Sequence, residues 1–151
     1  MVIITSSVAE RIADEILSSQ EEILAMTIID ERRLGAKNNI VLASKAKESF
    51  RKAFGVFQEG PRYGGTLGIE ALGVAGEVRG FAGQVQSIVT TYEKCKMVLL
   101  PMPSYDIVVG LVLESSVNGD DYSKNIRREI ERLFLTLREE NEEEGEQKEE
   151  E

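Results

Sequence analysis

The sequence contains no histidine, no tryptophan and a single cysteine, Cys95, among its 151 residues. Without histidine, the usual general base near neutral pH is missing, and so are most zinc sites and every serine–histidine or cysteine–histidine nucleophile pair. A single cysteine excludes an internal disulfide framework. We therefore predict a protein that is not an enzyme, and we expect no metal and no cofactor.

Long apolar runs are also missing from the chain. No run approaches the roughly 18 apolar residues that a membrane span needs, and the first residues, MVIITSSVAERI, lack a basic region and a long apolar core. These absences predict a cytoplasmic protein that does not enter a membrane. With 42% hydrophobic residues, the chain can still bury one core without cross-links.

The net charge of −9 is concentrated at one end. Residues 139–151 contain nine Glu and one Lys, whereas the first 138 residues contain 17 basic and 18 acidic residues. Because a run of glutamates repels itself and has little to bury, we predict one domain over 1–138 and a disordered acidic tail over 139–151. The tail would be a solubilising terminus or a docking segment. The near-neutral body argues against nucleic acid as a partner.

Two apolar runs, Met97–Leu100 and Ile107–Leu113, predict central strands of a sheet. Their short connection, which contains Pro101 and Pro103, makes the pair antiparallel and places both prolines at a turn. Strands that are apolar on both faces need a cover on each side, so helices should sandwich the sheet.

The other predicted elements follow from spacing and turn residues. The final helix has the strongest pattern, with apolar residues at 122, 126, 130, 133, 134 and 137. In chain order we predict a helix that is capped by Ser6 or Ser7 and runs to about Ser19, and a hairpin of strands Glu22–Asp30 and Asn39–Ser44. There follow a short helix Ser44–Phe57, a helix over 66–81, an edge strand Gln84–Tyr92, the two central strands, and a helix from Asn118–Asp120 to Leu137.

The predicted helix over 66–81 is almost free of charge and rich in glycine and alanine. Glycine weakens an isolated helix, so its density indicates close approach by another backbone. The helix would be an ordinary core helix, or it would lie on the sheet with one side and on a second subunit with the other. The second reading gives a candidate dimer interface of Leu67, Gly68, Ala71, Leu72, Val74, Ala75 and Val78.

An insert over 44–65 concentrates four of the nine aromatic residues. It would cover a sheet face or form a binding surface, for which the candidate residues are Phe54, Phe57, Arg62 and Tyr63. The glycine-rich stretch Gly60–Thr66 does not fit a phosphate-binding loop, because only three residues separate its first glycines and no lysine precedes Thr66. Asp30 and Glu114 each end a predicted central strand, and if those ends meet, one carboxyl pKa would be raised.

The element order resembles the roadblock / dynein light chain family, which has a profilin-like sandwich. The resemblance covers roughly residues 8–137, and its most specific part is KMVLLPMPSYDIVVGLVLESSVNGDDYSKNIRREIERL. The chain is also similar to small archaeal proteins of uncharacterised function that share this layout. The resemblance implies an α+β fold with a five-stranded, mainly antiparallel sheet between helices, in the order α-β-β-α-β-β-β-α.

The same resemblance implies a function. Family members are non-catalytic adaptors or scaffolds that bind small GTPases or motor complexes, and they dimerise through the middle helix and the strand after it. We therefore expect a self-associating adaptor, as a homodimer or heterodimer, with a small GTPase or another protein as partner. The residues leave one alternative open, a small-molecule-sensing domain of profilin/PAS-like plan with a pocket between the sheet and the insert.

Overall fold

The structure is a computed structural model that describes residues 4–30, 41–50 and 83–150, with the backbone alone described for 138–150. It is an α+β fold with a five-stranded antiparallel sheet, as predicted. The described elements are α1 (Ser6–Ser19), β1 (Ile23–Asp30), β2 (Val41–Ala46), β3 (Ile88–Thr91), β4 (Cys95–Met102), a 3-10 helix (Pro103–Tyr105), β5 (Ile107–Glu114) and α2 (Gly119–Glu150).

The sheet has the strand order β2-β1-β5-β4-β3. Its middle strand, β5, is the nearly continuous apolar run of the sequence, and Leu111 lies between Met26 of β1 and Val98 of β4. All three of these side chains are buried. The prediction of central strands and of an edge strand before them is therefore confirmed, with β3 shorter than predicted.

Pro101 lies inside β4, which corrects its predicted place at the turn. It faces Val108 across the β4–β5 pair, and only Pro103 belongs to the connection. The reason is visible in the pairing of β4: β3 covers it only from Lys96 to Leu99. Within the described residues, one edge of β4 thus has no strand beside Pro101, and a strand tolerates proline at such a place.

The first helix begins at Ser6, one residue earlier than it would if Ser6 were its cap. Thr5 is the cap, and its hydroxyl accepts a hydrogen bond of 3.3 Å from the backbone N–H of Val8. The predicted apolar face is confirmed, since Ile12 and Ile16 are fully buried. The helix ends at Ser19, as predicted.

The second strand runs two residues beyond its predicted end. Ser44–Ala46 was expected to open a helix, but these residues pair with Ala25–Thr27 of β1 instead. The hydroxyls of Thr27 and Ser44 lie 3.3 Å apart, and the N–H of Lys47 still bonds Leu24 of β1 at 2.9 Å. Pairing with an inner strand therefore outweighs the local helical spacing, and helix begins only at residues 48–50.

The final helix is capped by Asn118, whose side-chain oxygen accepts from the N–H groups of Asp120 at 3.1 Å and Asp121 at 3.2 Å. The predicted buried face is confirmed at Ile126, Ile130, Phe134 and Leu137. The backbone stays helical to Glu150, and glutamate is a good helix former. The predicted domain over 1–138 and the predicted disordered tail over 139–151 stay predictions.

Both described helices lie on one face of the sheet, where they cover the main core. We call the opposite face the second face. It carries a separate cluster of Ile29, Leu99 and Val108, against which Ile88 packs. No helix in the described part of the chain is long and apolar enough to cross a membrane.

Candidate functional site

The predicted site residues fall in a part of the chain outside the described residues. This holds for the whole candidate dimer interface, Leu67, Gly68, Ala71, Leu72, Val74, Ala75 and Val78, and for the candidate partner surface, Phe54, Phe57, Arg62 and Tyr63. Both sets therefore stay predictions. Among the described residues, three features bear on a functional site: the second face, the β3 edge and the polar contacts that hold the two helices.

The second face is formed by one side chain from each of four strands. Ile29 is 3% exposed and Val108 1% exposed, although α1 and α2 both lie on the other side of the sheet. Two residues after Val108 on β5, Gly110 has no side chain; it faces Leu99 of β4, and a Cβ built there would lie 3.6 Å from the Leu99 side chain. The centre of this face is therefore apolar, shallow and excluded from water, which are the properties of a packed face.

The β3 strand forms one edge of the sheet. It pairs with β4 along Ile88–Thr91 and, within the described residues, with no other strand. Its first two residues are half-buried, its last two are exposed, and Tyr92 directly after it is 42% exposed. An edge of this kind offers backbone N–H and C=O groups to a further strand.

The start of α2 fixes this edge from the helix side of the sheet. A Cβ on Gly119 would lie 2.8 Å from Val89 Cγ1, so the helix backbone lies directly on the β3 side chain. Two turns of helix later, Arg127 donates hydrogen bonds to the backbone and side-chain oxygens of Gln86, just before β3. The edge strand and the helix are therefore joined both by packing and by hydrogen bonds.

A second polar contact joins α2 to the turn between α1 and β1. The Tyr122 hydroxyl donates to Gln20 Oε1 at 2.9 Å and lies 3.4 Å from Glu22 Oε2. Burial, and next the charge of Glu22, raise the pKa of Tyr122 to about 12. From the other side, Lys47 Nζ donates to the backbone oxygen of Gln20 at 2.6 Å. Sequence reasoning missed this contact, because nothing local marks partners that lie about 100 positions apart.

The described residues hold little that resembles a reaction centre. The two strand-end carboxylates do not meet: Asp30 faces Ile107 at the start of β5, whereas Glu114 ends that strand. The sequence left open whether these ends meet, and antiparallel pairing answers it, because it sends the ends of β1 and β5 in opposite directions. Burial raises the pKa of the half-buried Cys95 thiol, which lowers its reactive thiolate fraction.

Ion pairs in the described part of the chain lie at the surface. Arg132 and Glu129 form a pair of 2.5 Å on α2. The hydrogen bond from Arg132 lowers the pKa of Glu129 and raises that of Arg132. Lys45 on β2 lies 3.9 Å from Asp14 on α1. Across the described ranges no three Cys, Asp or Glu side chains are placed to hold a metal ion. The charged side chains of these two ion pairs are typical of a solvent-exposed surface.

Comparison with known proteins gives structural likeness only. No protein-family model and no curated protein matches the sequence. Among solved structures, a Roadblock/LC7 domain from Streptomyces avermitilis matches with a TM-score of 0.60 and 4% identity, over 85% of this chain and 96% of that one. MglB from Myxococcus xanthus matches at 0.55 with 8% identity, over 89% and 87%.

The gliding protein MglB from Thermus thermophilus matches at 0.57 with 16% identity, over 87% of this chain and 92% of that one. At such identities the likeness establishes the architecture. All three matches extend over most of both chains. The chain therefore has the roadblock/LC7 fold.

Proposed function

We propose that the protein is a non-catalytic, self-associating adaptor that binds a protein partner, with a small GTPase as the first candidate. The observation that most supports this is the roadblock/LC7 fold over 85% of the chain. A fold does not by itself fix a function, so the proposal also depends on where this fold leaves surfaces for other proteins.

Self-association is assigned to the predicted helix over 66–81. The supporting feature is the second face, which is packed at Ile29 and Val108 although α1 and α2 lie opposite. A helix with one stripe of charge and otherwise small or apolar residues suits such a face, and its other side suits a second copy. The proposed contact residues are Leu67, Gly68, Ala71, Leu72, Val74, Ala75 and Val78.

The β3 edge adjoins this second face and belongs to the proposed interface. Ile88 packs against the second-face cluster, while Thr90 and Thr91 are exposed. Pairing of two such edges would give hydrogen-bond partners to the outward backbone N–H and C=O groups of β3. A partner protein would then bind the surface of Phe54, Phe57, Arg62 and Tyr63, which combines aromatic anchors with an arginine.

Self-association is tested by the double substitution Ala71→Arg with Val74→Glu, measured by light scattering after size exclusion. The proposal predicts a fall from the mass of two chains to that of one. The matched control is Ser7→Arg with Ser18→Glu, which puts the same charges on the exposed face of α1 and should leave the mass unchanged. A double variant that keeps both the wild-type mass and the wild-type circular dichroism would overturn the interface.

The partner is tested by titrating candidate small GTPases, loaded with GDP or a non-hydrolysable GTP analogue, into the protein in a calorimeter. The proposal predicts binding that differs between the two nucleotide states and that is weakened by Arg62→Glu with Tyr63→Ala. Such weakening without loss of dimer mass would separate the partner surface from the dimer interface. Equal heats for the variant and the wild type would remove this surface from the proposal.

A further inference from the structure

The last helix continues well beyond its described buried side chains. It spans the 32 residues Gly119–Glu150, about 48 Å at 1.5 Å per residue, and among its described side chains Leu137 is the last buried one. The backbone of the remaining 13 residues continues for about 20 Å beyond that position. Most helices in proteins are stabilised by packing of one side, so the sequence of this extension indicates which surface would stabilise it.

A line of exposed residues runs along the solvent side of the first part of α2. It consists of Lys124, Arg128, Arg132 and Leu135. Their spacings of four, four and three residues place them on one side of a helix. Within the described residues neither Lys124 nor Arg128 has an ion-pair partner, whereas Arg132 pairs with Glu129. Leu135 is 51% exposed, which makes it an apolar residue at the end of a basic line.

The same line continues into the acidic part of the helix. Steps of four, three and four residues from Leu135 lead to positions 139, 142 and 146, all of which are glutamate. One side of α2 is thus basic for its first half, apolar at Leu135 and acidic for its second half. When a second copy of this helix lies alongside in the opposite direction, its acidic half lies beside the basic half of the first.

We propose that α2 binds α2 of a second copy of this chain in antiparallel orientation. The two complementary halves cannot meet within one chain, because they lie on one continuous helix. Between two copies, an antiparallel pair centred on Leu135 places this residue against its own equivalent. Arg128 then faces Glu142, and Lys124 faces Glu146, once on each side of the symmetry axis.

This contact differs from the interface through the predicted helix over 66–81. It uses the side of α2 that points away from the sheet, on the face where α1 and α2 lie. The proposed dimer interface belongs to the second face. The two contacts would therefore join different copies, and either one can hold if the other fails.

The centre of the pair is tested by disulfide trapping in the full chain. In a Cys95→Ser background, Leu135→Cys should cross-link to twice the mass of 16.8 kDa when oxidised glutathione is added. Cys95 is the only native cysteine, so the background has none. The control is Thr136→Cys, which is also exposed but lies about 100° further round the helix. Equal cross-linking of the two variants, or none, would overturn the proposal.

The charge pattern is tested by reversal and restoration, with sedimentation velocity over a range of protein concentrations. Lys124→Glu with Arg128→Glu should weaken this association by about tenfold or more, which corresponds to about 1.4 kcal/mol. Adding Glu142→Lys and Glu146→Lys to the same chain should restore it. Raising the salt concentration from about 0.1 to about 1 M shortens the Debye length from about 10 to about 3 Å. This change should also weaken the association of wild-type chains through α2. Failure of the fourfold variant to recover would contradict the antiparallel pair.

Discussion

The Tyr122 hydroxyl donates a 2.9 Å hydrogen bond to Gln20 Oε1, and so joins the start of α2 to the end of α1 across 102 positions. Glu22 lies 3.4 Å from the same hydroxyl. These contacts hold the turn between α1 and β1 while Lys47 binds its backbone from the other side. The two helices that cover the main core are thereby fixed at one end of the sheet.

Removing this hydroxyl should weaken the fold measurably. We expect Tyr122→Phe to lower the free energy of unfolding by about 1 kcal/mol, the usual contribution of one hydrogen bond. The ring keeps its packing, so the loss reports the hydroxyl alone. Urea denaturation measures the change, with Tyr92→Phe as control because Tyr92 is 42% exposed. If Tyr92→Phe lowered the free energy of unfolding as much as Tyr122→Phe, the effect would not come from this contact.

The same contact should make stability depend on pH in alkaline solution. The folded state raises the pKa of Tyr122 to about 12, from an ordinary value of about 10, through burial and the charge of Glu22. The fold therefore favours the protonated hydroxyl, and its contribution is complete below pH 10 and lost as pH rises through about 12. The stability difference between wild type and Tyr122→Phe should shrink over that interval. A difference that stays constant would contradict the assigned pKa.

Gly119 should resist substitution because of Val89. Gly119→Ala would place a Cβ 2.8 Å from Val89 Cγ1, and a β-branched side chain in a strand has few ways to move. We expect a loss of about 1–3 kcal/mol in denaturation experiments. Adding Val89→Ala should recover much of it. At Gly110 the nearest atom would be 3.6 Å away, so Gly110→Ala serves as a tolerated control.

Two apolar residues of α2 should differ sharply in their effect on stability. Ile130 is fully buried and Leu135 is 51% exposed, on the same helix. Ile130→Ala should lower the free energy of unfolding by about 2–5 kcal/mol, whereas Leu135→Ala should change it by about 0.5 kcal/mol or less. The measurement is made on dilute protein, so that association of copies through Leu135 does not contribute to the stability. Similar losses at the two positions would mean that α2 is oriented differently on the sheet.

The fold could be predicted from the sequence wherever one face of an element meets the core. The four-residue spacing of Ile126, Ile130 and Phe134 predicts the buried side of α2, and the apolar run of β5 predicts a central strand. The boundaries that failed depend on neighbours in space. Pro101 can belong to β4 because β3 begins only at Ile88, opposite Leu99, and Ser44 belongs to β2 because β1 pairs with it.

The candidate site was harder to predict than the fold. Local patterns do not report contacts such as Tyr122 with Gln20, whose partners lie far apart in the chain. A near-absence of charge over 66–81 indicates that a helix is covered, but not whether a sheet or a second copy covers it. Oligomeric state depends on how the surfaces of two chains fit each other, and local sequence patterns do not report that fit.

Self-association through the helix over 66–81 is the central claim, and native mass spectrometry of the wild type beside Ala71→Arg with Val74→Glu tests it most directly. Dilute protein at physiological ionic strength should keep the charge-dependent α2 contact weak. The account predicts two chains for the wild type and one for a folded variant. A wild type that stays at one chain, or a variant that keeps two, would contradict it.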